Sequence, residues 1–124
     1  MGNQPNVGQT PGQVAVSLDG RWLAVSVKNA AAKGWFELFE LDRRGRPAAD
    51  PTITPSNDPQ PFGFGFDTRG TLVTSQAAGS AASSYRVGAD GALTPVTADV
   101  ANGRKAACWL ALTGHFAYTT TISA

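Results

Sequence analysis

Three cations, one carboxylate and a few amides are the side chains of this chain best suited to meet a ligand. Lys28, Arg104 and Lys105 suit a phosphate or carboxylate group, Asn29, Gln60 and Gln76 could hydrogen-bond one, and Asp58 could take a proton from water as a general base. Other reactive groups are few. Cys108 is the sole thiol and His115 the sole imidazole. They fall at opposite ends of one extended run, about 20 Å apart at the usual strand rise, so no Cys–His dyad is expected. One cysteine excludes an internal disulfide, and one histidine without a second His or Cys in reach argues against zinc. Asp19, Asp67 and Asp90 lack the close spacing of a dedicated cation loop, which leaves open only a carboxylate- and water-ligated calcium or magnesium site. Ser80, Ser83 and Ser84 have no nearby histidine and no nucleophile elbow. Phe62-Gly63-Phe64-Gly65-Phe66 is not a nucleotide loop, because Thr68 stands where the third glycine would be. No bond-breaking chemistry follows from these residue types alone.

The elements that position these residues are short strands. Pro11 to Val27 reads as a β-hairpin: Val14, Val16 and Leu18 alternate, Asp19-Gly20-Arg21 turns the chain, and Trp22 to Val27 is rich in β-branched and aromatic residues. Matching hairpins follow at Pro61 to Ser75 and Ala107 to Thr121. Pro61 lies 50 residues after Pro11, and Ala107 lies 46 after Pro61, a spacing that marks an internal repeat. After each of the first two hairpins comes a third strand (Trp35 to Leu41, Ala82 to Val87), a glycine turn at Gly45 or Gly91, and a weaker fourth strand (Thr52 to Thr54, Leu93 to Thr97). Four antiparallel strands per 46 residues is the length and make-up of a propeller blade. The expected fold is all-β: a β-propeller segment of about two and a half four-stranded antiparallel blades, an incomplete ring. Residues 1–13 form an entrance loop, 14–60 the first blade, 61–106 the second, and 107–124 the inner hairpin of a third.

Bulk properties narrow the partners. Ten basic against nine acidic residues give a net charge of +1, without the clustered basic stripe that nucleic acid requires. Arg43, Arg44 and Arg46 share a turn flanked by Glu37, Glu40 and Asp42, which reads as a solvated turn. No apolar run reaches the length of a membrane span or signal core, so no membrane partner is expected and a cytoplasmic location is the default, with export of a longer parent left open. Seven blades would need about 320 residues, so the 124 residues are expected to be a fragment, a partial ring completed by other copies, or a short open array. Self-association through exposed blade faces follows from such an array.

In a propeller, the links into the first strands and the loops between second and third strands open on one face. That face collects Gln9, Gln13, Lys28, Asn29, Asn57, Asp58, Gln60, Gln76, Asn102, Arg104 and Lys105. The hairpin turns at Asp19-Gly20, Asp67 to Gly70 and Thr113 to His115 open on the other. The pattern AVSLDGRWLAVS, with WFELFELDRRGRP and PFGFGFDTRGTLVTS, resembles the seven-bladed lactonase-family propellers that include bacterial 6-phosphogluconolactonases. The resemblance spans nearly the whole chain and implies hydrolysis of a sugar-acid lactone by the parent protein, with water as nucleophile and no cofactor. Asp58 would then be the base, with Lys28, Asn29, Gln60, Gln76, Arg104 and Lys105 around the ligand. The competing expectation is a non-catalytic propeller that binds a ligand or a protein.

Overall fold

In the computed structural model of the chain, residues 10–29, 31–58 and 60–123 are described. Met1 to Gln9, and with them the candidate Gln9 and most of the expected entrance loop, lie outside the described residues. Strands β1 (Pro11–Val16), β2 (Trp22–Val27), β3 (Trp35–Glu40) and β4 (Thr52–Pro55) form one antiparallel sheet in that order. β5 (Pro61–Phe66), β6 (Leu72–Gln76), β7 (Ala81–Val87) and β8 (Leu93–Ala101) form a second, and β9 (Lys105–Leu112) pairs with β10 (Ala117–Ser123) in a third. No helix occurs among the described residues. The all-β class and the three hairpins agree with the sequence reading. β8 is longer than the expected Leu93 to Thr97, because the Ser83 hydroxyl of β7 donates to Asp99 Oδ1 at 2.5 Å and Ala81 pairs with Ala101.

Local hydrogen bonding makes the turns. Asp67 Oδ1 accepts the N–H groups of Arg69 and Thr71, both at 2.9 Å, and Asp42 Oδ1 accepts those of Arg44 (2.8 Å) and Arg46 (2.9 Å). These are side-chain mimics of a backbone turn. At the first turn Asp19 Oδ1 takes the Ser17 hydroxyl at 2.6 Å and the Arg21 N–H at 3.0 Å. Those two donors hold the Asp19 carboxyl below its ordinary range. Gly20 and Gly70 close their turns at φ of +71° and +80°, where a Cβ would be strained.

The first two sheets face each other across one core. Trp22, Ala24, Phe36 and Leu38 meet Phe64, Leu72, Tyr85 and Leu93. The Phe36 ring stands edge-on to Phe64 at 6.2 Å and tilted against Tyr85 at 5.4 Å. Farther out, the Thr52 hydroxyl donates to the Asp90 carbonyl (2.8 Å) and the Leu93 N–H to Thr54 Oγ1 (3.0 Å). Of β1, Ala15 reaches this core, whereas Val14 and Val16 are exposed. Their alternation in the sequence therefore marks a face turned away from the second sheet.

The junctions between consecutive sheets repeat in detail. Each hairpin has one residue more on its first strand than on its second, within Pro11–Gln13, Pro61–Phe64 and Ala107–Leu110. Such a bulge turns a carbonyl out of the ladder. In the first hairpin Ser26 Oγ accepts the Gln13 N–H at 3.0 Å and donates to the Phe62 carbonyl of the second at 2.6 Å. In the second, Ser75 Oγ accepts the Gly63 N–H at 3.0 Å and donates to the Cys108 carbonyl of the third, again at 2.6 Å. Phe62 and Cys108 are 46 residues apart, equivalent positions of the repeat. One hydroxyl thus ties its own hairpin together and grips the bulge of the next.

Candidate functional site

The links and second loops do gather at one end. Gly34 donates to the Asp58 carbonyl (3.2 Å) and Ser56 to that of Gly34 (2.8 Å). Ala77 donates to Gln60 (2.9 Å) and Asn102 to Ser80 (3.0 Å). Most candidate side chains there are engaged in holding the loops. Asp58 is 5% exposed; its Oδ1 accepts the Gln60 N–H at 2.8 Å, and its N–H donates to Ser56 Oγ at 3.3 Å. The other carboxylate oxygen lies over Gly79, so close that a Cβ there would come within 2.6 Å of it. Gln76 is fully buried, with Nε2 donating to Ser56 Oγ (3.1 Å) and Ser83 Oγ (3.2 Å). Ser56 is therefore the hub that joins Asp58 and Gln76 in the interior, while Gln60, half-buried, is tied to Asp58 through its backbone N–H.

The side chains of Asn29 and Gln13 are likewise absorbed. Asn29 Oδ1 accepts the Ala31 N–H (3.1 Å) and its Nδ2 donates to the Lys33 carbonyl (3.4 Å). The Gln13 amide bridges to the Phe64 backbone, donating to its carbonyl at 2.5 Å and accepting its N–H at 3.4 Å, a graft of β1 onto β5. Asn57 donates its N–H to Tyr85 Oη at 3.3 Å. Arg104, in the turn into β9, and Lys105, the first residue of β9, are exposed, and the Arg104 N–H donates to Asn102 Oδ1 at 2.9 Å. Among the described residues no hydrogen bond or ion pair joins them to Lys28 or Asp58.

Lys28 has a different setting. Its Nζ stands 4.6 Å from the centre of the Phe62 ring, and the Trp109 ring meets Phe62 edge-on at 5.4 Å. A cation from the first sheet, a ring from the second and a ring from the third thus line one edge, with Trp109 56% exposed. The ammonium over a ring face is a favourable pairing in itself. The sequence reading singled out Lys28 but gave Phe62 and Trp109 no part in a site. The missing signal is the bulge, which separates Phe62 from Phe64 and Phe66 and turns it to this edge. Phe64 and Phe66 pair with each other at 6.1 Å, and the two glycines between the rings let β9 approach.

At the opposite end two clefts repeat. One of about 370 Å³ lies between the first and second hairpin turns, lined by Asp19, Arg21, Trp22 and Arg69. One of about 480 Å³ lies between the second and third, lined by Asp67, Arg69, His115 and Phe116. Their carboxylates are the turn-forming Asp19 and Asp67, already engaged, and Arg21 pairs with Glu40 at 3.3 Å. Among the described residues no three His, Cys, Asp or Glu side chains cluster to hold a metal. Comparison with protein-family models, curated proteins and solved structures found no match for this chain.

Proposed function

We propose that the chain is a segment of a β-propeller that binds a small sugar-derived ligand, a sugar acid or its lactone, at the edge formed by Lys28, Phe62 and Trp109. What supports the propeller reading is the twice-repeated hydroxyl-to-bulge junction between successive antiparallel sheets. The observation that carries the binding reading is the Lys28 ammonium over Phe62 beside an exposed Trp109. Aromatic walls suit the C–H face of a sugar-acid carbon chain, and one placed cation suits its carboxylate. The ligand class comes from the lactonase resemblance. On this reading hydrolysis requires a closed ring, whose added units bring further groups to the same edge, and Asp58 holds its turn through the Gln60 N–H instead of acting as the base.

Calorimetric titration with gluconate tests this. One site per chain is expected, with a dissociation constant on the order of 1 mM, weakened about tenfold in Lys28→Ala by loss of a charge-assisted bond. Absence of binding, or an unchanged isotherm in Lys28→Ala, would overturn the site. Turnover of gluconolactone above its spontaneous rate, removed by Asp58→Asn, would contradict the binding role and return Asp58 to that of base.

A further inference from the structure

The junction that joins the sheets has a third, half-made copy. Thr120 lies 45 residues after Ser75, which lies 49 after Ser26, and Trp109 lies 46 after Gly63, which lies 50 after Gln13. Thr120 Oγ1 accepts the Trp109 N–H at 3.3 Å, as Ser75 accepts that of Gly63 and Ser26 that of Gln13. The two serines go on to donate to the bulge of the next hairpin. For Thr120 there is no next hairpin among the described residues. At the other end of the array, the bulge within Pro11–Gln13 places Gly12 where Phe62 and Cys108 stand in the later hairpins, with no preceding hydroxyl to grip its carbonyl.

The apolar faces match in the same way. Val14 and Val16, 58% and 49% exposed, stand 50 residues before Phe64 and Phe66, and these pack against the first sheet. Leu110 and Leu112, another 46 on, reach Gly65 of the second. Each first strand therefore buries this pair against the sheet before it, except β1. On β10, Tyr118 (58%) and Ile122 (73%) are exposed, and Tyr118 occupies the place of Ala24, which lies in the core between the first two sheets.

We propose that the exposed face of β10 is a docking surface for β1 of a second copy of this chain, joined head to tail, with the Thr120 hydroxyl donating to the partner's Gly12 carbonyl. The contact is independent of what the Lys28 edge binds. It uses a different patch on each partner, so copies add in one direction until they close a ring or extend. A second copy is the occupant because the surface needs a bulged strand with two small apolar side chains on its outer face. β8 is also bulged and exposes Val96 and Val100, but it is the last strand of its sheet; among the described residues β1 is the first strand of a hairpin that offers these uncovered, at the positions the later hairpins use in this junction.

Solution mass by light scattering over a concentration series, without ligand, reads the association. The wild-type chain is expected to exceed monomer mass as concentration rises. Tyr118→Asp/Ile122→Asp blocks one patch and Val14→Asp/Val16→Asp the other; each variant alone is expected to be monomeric. Mixed, they are expected to form a one-to-one dimer and nothing larger, since one intact patch remains on each. Thr120→Val keeps the shape and removes the donor, and is expected to weaken association about five- to tenfold; it decides the matter where the aspartates unfold the chain. A wild-type chain monomeric throughout, Thr120→Val associating like wild type, or dissociation by only one of the two blocking pairs would overturn the proposal.

Discussion

Phe36→Ala lowers the unfolding free energy by about 4 kcal/mol, the largest loss expected from one side chain in this chain. Phe36 is fully buried at the meeting of two sheets, with the Phe64 ring at 6.2 Å and the Tyr85 ring at 5.4 Å. Truncation removes the transfer free energy of the ring and leaves a cavity. The walls belong to two different sheets, whose separation is set by Trp22 and Leu38 as well, so they cannot simply close on the void. Small domains are stable by about 5–15 kcal/mol, so the loss is a large share of the total. Denaturant unfolding measures it as a shift in midpoint at unchanged slope. A loss below about 1 kcal/mol would mean that the two sheets do not share this core.

Gly63→Ala comes next, with an expected loss of about 3 kcal/mol concentrated on the third hairpin. A Cβ on Gly63 would lie 2.7 Å from the Cys108 carbonyl oxygen, 2.8 Å from Trp109 Cα and 3.0 Å from Leu110 N. All three are backbone atoms of β9, so no rotamer change relieves the clash and β9 must move away. The Ser75 bond to Cys108 at 2.6 Å is lost with that movement. Gly65→Ala is the control. Its Cβ meets Leu112 Cδ1 at 3.2 Å, the end of a side chain that can shift, and the expected loss is below about 1 kcal/mol. Equal losses at the two positions would contradict the close approach at Gly63.

What was legible in the sequence is what short-range chemistry decides. Asp19-Gly20, Asp42 to Arg46 and Asp67 to Gly70 make their turns from hydrogen bonds two to four residues long, and alternation between turns marks strands. The repeat of 50 and 46 residues located three hairpins and sorted the loops to two ends. The state of the site residues was not legible, because it depends on distant partners. Asp58 and Gln76 look like surface polar groups by type, yet both are buried around Ser56. Gln13 looks like a ligand contact and is spent on the backbone of Phe64, 51 residues away. Gly12 and Gly63 fall within two of the bulges, but the third, Ala107–Leu110, has no glycine, so residue type alone does not mark them. Without them the roles of Ser26, Ser75 and Thr120 cannot be seen, nor can the separation of Phe62 from the two rings that follow it.

Hydrogen exchange in Ser75→Ala tests most directly whether a buried hydroxyl gripping a bulge holds consecutive sheets together. Losing it leaves the Gly63 N–H and the Cys108 carbonyl without their buried partner, at a cost of about 1–3 kcal/mol. The expected result is exchange faster by about tenfold or more across β9 and β10, while the amides of β1 to β4 keep their protection. Unchanged exchange in β9 and β10, or an equal rise in every strand, would contradict it.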